Sequence, residues 1–172
     1  EKLLPIGYPR YDYFRSQNIN ALNFVRNQGI NTKTVLWMPT FRKTKILSLT
    51  ENTLGDKDID LPVISKLSDL DYLNDICREK NINLLIKRHR LQLDYAVDDN
   101  KYSNISFLDD SDLTKHDFQL YELLAVVDAL ITDYSSVAID FLLLDRPIGF
   151  TLDDYDKYRD SRGFVFENPL EY

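Results

Sequence analysis

The stretch DALITDYSSVAIDFLLLDRPIGF, residues 128–150, decides the fold of this chain. Its ALIT segment is a short apolar run of the β type, and the polar residues DYSS follow it at a junction. Val137, Phe141 and Leu144 then recur at i, i+4 and i+7, which predicts one buried face of a helix. A second strand is expected to end at Phe150. Strand, tight turn, helix and strand in this order are typical of a parallel α/β sheet.

The DYSS junction predicts an anion site. A helix start presents backbone N–H groups without intrahelical partners and the positive end of the helix dipole. At the carboxyl end of a parallel strand such a start commonly binds phosphate, and Thr132, Ser135 and Ser136 would add hydroxyl donors. Plain capping of the helix by Asp133 or Ser135 stays open as the alternative, because every junction of this kind needs a cap.

Basic residues follow two other predicted strands. The run KRHR at 87–90 comes directly after an apolar strand at 83–86, and Arg42 and Lys43 follow the strand at 34–38. In a parallel sheet both clusters lie at carboxyl ends of strands, on the rim where ligands bind. Three strand ends of this kind predict an anionic ligand. A solvated surface with local ion pairs is the alternative for each cluster alone.

Length and composition indicate one soluble globular domain. The chain has 172 residues, of which 44% are hydrophobic and 28% are charged, and this suits a single full core. The net charge of −7 argues against bulk nucleic-acid binding. No apolar run approaches the roughly 20 residues that span a bilayer, and no signal-peptide pattern is present. Because Glu1 is not an initiator methionine, we expect a piece of a longer protein, and the single Cys77 fits a reducing, cytoplasmic compartment.

Several common chemistries lack their motifs. There is no GxGxxG and no Walker A pattern, so the usual dinucleotide and P-loop sites are unsupported. His89 and His116 are the only histidines and have no cysteine partners in sequence, which argues against a zinc site. Ser135 does not stand in a GxSxG elbow, so a hydrolase nucleophile is not expected. The acidic pairs 109–110 and 153–154 could hold a divalent cation, but such pairs are more typical of solvated loops, and we predict no cofactor.

The rest of the chain predicts strands that alternate with helices. Helices are expected at residues 11–28, 63–80, 118–127 and 155–159, and strands at 35–38, 84–87 and 105–108. Residues 41–61 are predicted as a long irregular loop, and 3–7 as an entering strand or a link from an upstream domain. This alternation predicts a Rossmann-like parallel sheet flanked by helices.

Six motifs carry a family resemblance. They are GYPRYD at 7–12, VLWMPTFR at 35–42, LLIKRH at 84–89, LYELLAVVDALITDYSSVAIDF at 120–141, RPIGF at 146–150 and YRDSRGF at 158–164. Together they resemble the CDP-glycerol glycerophosphotransferase family, which includes teichoic-acid and capsule polymerases and primases. The resemblance covers nearly the whole chain, and ITDYSS with the downstream RGF is its most specific part. One departure is Arg90, where the family usually has proline after the histidine.

The resemblance implies a GT-B architecture, with two Rossmann-like halves that face a cleft. Residues 1–172 would be the C-terminal, nucleotide-donor-binding half, and the acceptor-binding N-terminal half would be missing. The implied reaction is attack of an acceptor hydroxyl on the β-phosphorus of CDP-glycerol, or of a similar CDP-polyol, with release of CMP. The acceptor would be a growing teichoic-acid or capsular polymer or a lipid-linked acceptor, and the full-length protein would work at the cytoplasmic face of the membrane. This chain alone would bind donor without turnover.

The resemblance also implies roles for single residues. His89 is the expected catalytic residue, which would neutralise or protonate the departing phosphate; a rim histidine bonded to a backbone carbonyl is its alternative. The expected substrate-binding residues are Arg42, Thr132, Ser135, Ser136, Asp140 and Arg162. Arg42 suits bidentate phosphate contact or a salt bridge. Arg162 would close over the pyrophosphate or anchor the C-terminal segment, and Asp140 would accept ribose hydroxyls or serve the helix dipole.

Two other functions stay open. One is the donor half of a sugar-nucleotide-dependent glycosyltransferase, which would share the fold but not the phosphoryl chemistry. The other is a nucleotide-binding module without catalysis, which would keep the phosphate site but would not need His89. The sequence does not distinguish glycerol from ribitol or another polyol, nor a primase from a polymerase.

Overall fold

Five parallel strands form one sheet in the computed structural model of this chain, which describes residues 7–27, 32–40, 61–88 and 101–163. The strands are β1 Lys33–Met38, β2 Ile82–Lys87, β3 Ile105–Leu108, β4 Ala129–Thr132 and β5 Ile148–Phe150. Their order is β3-β2-β1-β4-β5, and each neighbouring pair is parallel. The chain moves outward in one direction from β1 to β3 and in the other from β4 to β5. The carboxyl ends of β1 and β4 are therefore the topological switch point of the sheet.

Helices cover both faces of the sheet. They are α1 Ile19–Asn27, α2 Leu67–Glu79, α3 Asp110–Lys115, α4 Leu120–Val126, α5 Val137–Phe141 and α6 Tyr155–Arg162. Because successive strand residues point to opposite faces, Leu36 and Leu130 pack with α1, α4 and α5, whereas Trp37 and Ile86 pack with α2. Burial on both faces explains the near-continuous apolar runs of the central strands, and it confirms the predicted α/β fold.

One predicted helix is two helices in the structure. The prediction for residues 11–28 was wrong, because a 3₁₀ helix, Pro9–Arg15, and α1 occupy this region with a break between them. Asn18 causes the break. Its Oδ1 accepts hydrogen bonds from the backbone N–H groups of Asn20 at 2.8 Å and Ala21 at 3.3 Å. Asn18 thereby caps α1 and itself lies outside both helices.

The predicted helix at 63–80 begins later in the structure, as α2. Residues 61–64 form a turn in which Val63 has a φ of 54°, a left-handed conformation that a β-branched residue rarely adopts. Asp69 then marks the start of the helix, because its carboxylate accepts a hydrogen bond from the backbone N–H of Lys66 at 3.0 Å. Local hydrogen bonds, rather than the apolar spacing, thus set this helix boundary.

The sequence analysis missed α3. Its N-cap is Asp109, whose carboxylate accepts hydrogen bonds from the backbone N–H groups of Ser111 at 2.7 Å and Asp112 at 3.3 Å. The Ser111 hydroxyl also donates to this carboxylate and, with those backbone bonds, lowers the pKa of Asp109 against the opposing effect of burial. The acidic pair 109–110 therefore starts a helix, and Asp110 pairs with the Lys87 ammonium at 2.7 Å.

The remaining boundaries agree closely with the sequence. The strand predicted at 105–108 is β3 itself, α4 lies inside the helix predicted at 118–127, and α6 extends the one predicted at 155–159. Most of the predicted loop at 41–61 and of the entering segment at 3–7 lies outside the described residues. Within the described ranges, no helix combines the length and the apolar character that crossing a membrane requires.

Candidate anion site at the switch point

Hydrogen bonds join the ends of β1 and β4 at the switch point. Met38 pairs with Thr132 in the sheet, and the Thr132 hydroxyl donates to the Met38 carbonyl at 2.8 Å. One step further, the Asp133 carboxylate accepts hydrogen bonds from the Thr40 backbone N–H at 2.7 Å and from the Thr40 hydroxyl. Asp133 is only 3% exposed. The point at which the chain leaves β4 is therefore fixed against β1.

These contacts change two expectations from the sequence. The Thr132 side chain is fully buried, and its hydroxyl donates a hydrogen bond to the Met38 carbonyl. In this structure it therefore connects the two strand ends and does not offer a donor to a ligand. Asp133 bonds to Thr40, and the N-cap of α5 is Ser136. Asp133, one of the two residues expected as a cap of this helix, therefore does not cap α5 in the structure.

The serines of the DYSS turn keep their donors available. Ser136 is exposed and makes no side-chain capping bond. Ser135 makes one long contact, in which its Oγ accepts from the Val137 N–H at 3.4 Å. Within the described part of the chain, nothing accepts a hydrogen bond from the backbone N–H groups of Ser135 and Ser136. Because α5 is short, anion affinity at this turn would depend on these individual groups more than on a helix dipole.

An aromatic stack places α6 beside the same turn. The rings of Tyr134 and Tyr158 lie 3.9 Å apart between centroids, at 26° to each other. The Tyr134 hydroxyl also donates to Asp154 at 3.1 Å, and the neighbouring Asp153 accepts from the Val63 N–H at 3.1 Å. The acidic pair 153–154 is thus used in protein contacts, and the described residues contain no cluster of three metal-ligating side chains.

The sequence analysis missed both of these tyrosines. The available signal was one tyrosine inside the DYSS motif and a second tyrosine, three residues after the start of α6. Sequence spacing does not indicate that the two rings stack on each other. Arg162 is the last residue of α6. Its side chain lies outside the described residues, so the expected pyrophosphate contact of Arg162 stays a prediction.

Asp140 lies in a partly buried polar network on the inner side of α5. Arg10 binds it in a bidentate manner, with Nε 3.0 Å from Oδ2 and Nη2 3.1 Å from Oδ1. The Tyr11 hydroxyl donates to Oδ1 at 2.8 Å and the Tyr121 hydroxyl donates to Oδ2 at 2.5 Å. Asp140 is 3% exposed. Protein donors thus occupy both oxygens of Asp140, and the expected contact of Asp140 with ribose hydroxyls stays a prediction. Asp140 also lies in the first turn of α5, which suits the alternative role toward the helix dipole.

The network also sets the protonation of its members. Burial alone would raise the pKa of Asp140, but the hydrogen bonds from Arg10, Tyr121 and Tyr11 outweigh burial and hold this pKa below the ordinary value of 3.8. Burial and the adjacent carboxylate raise the pKa of Tyr121, so its hydroxyl keeps the proton that it donates. Asp140 is therefore an ionised carboxylate at neutral pH.

The predicted cationic rim is described only in part. Lys87 is paired with Asp110 as given above, and the Arg88 guanidinium lies 5.3 Å from the centroid of the Phe107 ring. The alternative of a local ion pair therefore applies to Lys87, whereas Arg88 lies against an aromatic ring. His89 and Arg42, the expected catalytic and phosphate-binding residues of the two basic clusters, lie outside the described residues.

Comparisons with known proteins identify a group of bacterial transferases. The model of the family described as CDP-glycerol:poly(glycerophosphate) glycerophosphotransferase matches residues 1–171. A teichoic acid poly(glycerol phosphate) polymerase of Bacillus spizizenii is 32% identical over 94% of this chain and 38% of its own length. A teichoic acid ribitol-phosphate primase of the same organism is 30% identical over 96% of this chain and 39% of its own length.

Two solved structures are similar to this chain in fold and in sequence. A variant of the wall teichoic acid polymerase TagF, with one histidine replaced by alanine, has a TM-score of 0.68 and 30% identity, and the match covers 98% of this chain and 38% of that one. A histidine-to-asparagine variant of TagF soaked with CDPG has a TM-score of 0.62 and 29% identity, over 95% of this chain and 35% of that one. The chain spans about two fifths of the length of the polymerase and the primase named above.

We expect the stability that Asp140 contributes to decline in acid. The pKa of Asp140 in the folded chain lies below 3.8, so the unfolded chain takes up the proton first as the pH falls. The contribution of the ionised carboxylate to stability is therefore complete above the unfolded pKa of about 3.9. It is lost as the pH falls through the folded pKa. At neutral pH, Asp140→Asn should lower the free energy of unfolding by about 2–4 kcal/mol, reduced from a fully buried pair because Arg10 reaches solvent. Urea unfolding between about pH 7 and about pH 3 measures the difference between parent and variant.

The matched control for this experiment is Asp75→Asn. Asp75 pairs with Arg78 on the exposed face of α2, and such a pair contributes less than about 0.5 kcal/mol. A parent–variant difference for Asp140→Asn that stays constant down to about pH 3 would show that the carboxylate is not ionised in the folded chain, or that its charge is unimportant.

Proposed function

The chain belongs to the CDP-glycerol:poly(glycerophosphate) glycerophosphotransferase family, and we propose that it is the nucleotide-donor-binding part of such a transferase. The DYSS turn carries this proposal. The N–H groups of Ser135 and Ser136 have no acceptor among the described residues, and they lie at the switch point where open α/β sheets bind ligands. In this proposal the complete protein moves glycerol phosphate, or a related polyol phosphate, from CDP-glycerol to a growing teichoic-acid or capsular polymer and releases CMP.

The proposed reaction is a phosphoryl transfer. An acceptor hydroxyl oxygen bonds to the β-phosphorus of the donor, the bond from this phosphorus to the bridging oxygen breaks, and that oxygen leaves with CMP. Such a transfer needs positioning and stabilisation of negative charge more than covalent chemistry. Ser135 and Ser136 are suited to this, because backbone N–H groups and hydroxyls can bind diphosphate oxygens without a proton being transferred.

Cationic groups from neighbouring strands complete the proposed donor site. His89 follows β2 and Arg42 follows β1, while the DYSS turn follows β4, and these three strands are adjacent in the sheet. His89 is proposed to neutralise or protonate the departing CMP phosphate, and Arg42 and Arg162 to bind diphosphate oxygens. Thr132 supports the site indirectly, through its bond within the sheet.

The acceptor site and the base that activates the acceptor are proposed to lie in the part of the relatives that this chain does not span. Two Rossmann-like halves in a GT-B arrangement would place that part across a cleft from the DYSS turn. The complete enzyme is proposed to work in the cytoplasm, at the cytoplasmic face of the membrane, on a polymeric or lipid-linked acceptor. This chain would then bind donor without turnover.

Calorimetry of the chain with CDP-glycerol, CMP, a UDP-sugar and ATP tests the proposal. We expect weak binding of CDP-glycerol and CMP, with an affinity that falls as salt rises, because charge interactions at an exposed rim are screened. Preference for the UDP-sugar would support the glycosyltransferase alternative instead. If the folded chain binds no cytidine nucleotide at low salt, the proposal is wrong.

Two substitutions at Ser136 separate the hydroxyl from the backbone N–H. Ser136→Ala removes one hydroxyl and should weaken donor binding by about three- to tenfold, which corresponds to about 0.5–1.5 kcal/mol. Ser136→Pro removes the N–H as well and should abolish binding. The φ of Ser136 is −62°, which proline adopts, and proline is tolerated at a helix start, so the fold should survive.

Circular dichroism and calorimetry check this pair of variants. Unchanged far-ultraviolet spectra establish that both variants are folded. Donor binding by a folded Ser136→Pro protein with the affinity of the parent would place the phosphate somewhere other than this turn.

The role of His89 is tested in the full-length enzyme. His89→Ala should lower turnover by about 10²–10³-fold, the usual loss when a group that acts on developing charge is removed, while donor affinity changes little. His116→Ala is the matched control, because His116 is the other histidine of the chain and its ring packs against Phe24, 5.0 Å between centroids. Steady-state kinetics with near-normal turnover in the His89 variant would make His89 a structural residue.

A further inference from the structure

Asp140 connects the DYSS turn to a distant part of the chain. Its backbone N–H donates to the Ser136 carbonyl at 3.4 Å, so the two residues are joined directly across one turn of α5. Its side chain binds Arg10, which is 130 positions away in sequence, and Tyr121 of α4. One residue therefore couples the proposed donor turn to the 3₁₀ helix Pro9–Arg15 and to α4.

The position of α5 depends on tertiary contacts. A helix as short as α5 has almost no stability of its own. Val137 and Phe141 anchor it in the apolar core, and Ile139 on its other side is 64% exposed. Apolar packing is not directional, whereas a bidentate contact between a guanidinium and a carboxylate fixes both distance and orientation. The Asp140 contacts are therefore the ones that can set the orientation of the helix start.

We propose that Asp140 is a positioning residue for donor binding, which holds Ser135 and Ser136 in place through α5 while Arg10, Tyr11 and Tyr121 hold its carboxylate. The inference rests on the proposed function and deepens it by adding a residue that does not touch the donor. A buried ion pair often adds little net stability over an apolar replacement. Orientation of the donor turn gives this pair a function that an apolar replacement would not supply.

Asp140→Asn tests the inference with two measurements. The first is the ¹H–¹⁵N spectrum of the chain without ligand, in which the Ser135 and Ser136 amide resonances should move. The second is calorimetric titration with CMP and CDP-glycerol under conditions where circular dichroism verifies the fold. We expect the affinity for both nucleotides to fall by about 10–100-fold, because hydrogen bonds to the donor weaken steeply when the distance or angle of the N–H groups changes.

Asp128→Asn is the matched control for a general loss of stability. The Asp128 carboxylate accepts hydrogen bonds from the Thr34 N–H at 2.8 Å and the Lys33 ammonium at 2.7 Å, at the amino end of β4. This variant makes the same change from acid to amide in another network, at the end of the strand remote from Ser136. It should leave the Ser136 amide resonance and the nucleotide affinities unchanged.

Tyr121→Phe gives a second, milder variant in case Asp140→Asn does not fold. It removes one hydroxyl from the network and leaves the Arg10 pair in place, so both readouts should change in the same direction by less. Arg10→Lys should be intermediate, because lysine keeps the charge but lacks the planar bidentate fork.

The outcomes separate this inference from the proposed function. A parent chain that binds neither nucleotide overturns both. If the parent binds but the folded variants bind equally well, with or without a shift of the Ser136 resonance, the inference is overturned and the proposed function stands. Weaker binding in the network variants, together with unchanged binding in Asp128→Asn, supports it.

Discussion

The hydrogen bonds between Asp133 and Thr40 are the contact on which the rest of the site depends. They join the chain just beyond β1 and β4, the two strands at which the sheet changes direction. A buried carboxylate is costly unless its oxygens are hydrogen-bonded, and here one residue of the neighbouring strand end supplies both a backbone and a side-chain donor. From Asp133 the chain continues through Tyr134, Ser135 and Ser136 to α5, which begins at Val137.

Two carboxylates flank the serines of this turn, and both are already occupied by protein donors. Asp133 precedes Ser135 and Ser136, and Asp140 follows them, each 3% exposed. An uncompensated carboxylate this close would repel a diphosphate. The Arg10 guanidinium offsets the charge of Asp140, and the Thr40 donors stabilise that of Asp133. Among the described residues of this turn, the donors without protein partners are thus on the serines, where an anion would be bound.

The sequence predicts the sheet better than the ends of the helices. Burial on both faces leaves apolar runs such as ALIT, and β4 lies where that run predicts it. Helix ends depend on single side-chain contacts with the backbone, and spacing alone did not indicate that Asn18 and Asp109 make them. The partners of Asp140 could not be predicted because Arg10 is 130 positions away. Only the fold brings the two residues together.

The four residues of the DYSS motif have separate roles. Asp133 binds the end of β1, Tyr134 stacks on α6, and the two serines carry the available donors. One tight turn can contact several elements because its successive side chains point in different directions. A ligand bound at the serines would therefore lie next to residues that contact the end of β1 and α6, and one turn of α5 away from Asp140, which binds the 3₁₀ helix Pro9–Arg15. Because those elements are far apart in sequence, donor binding at this one turn would be sensitive to contacts made by distant parts of the chain.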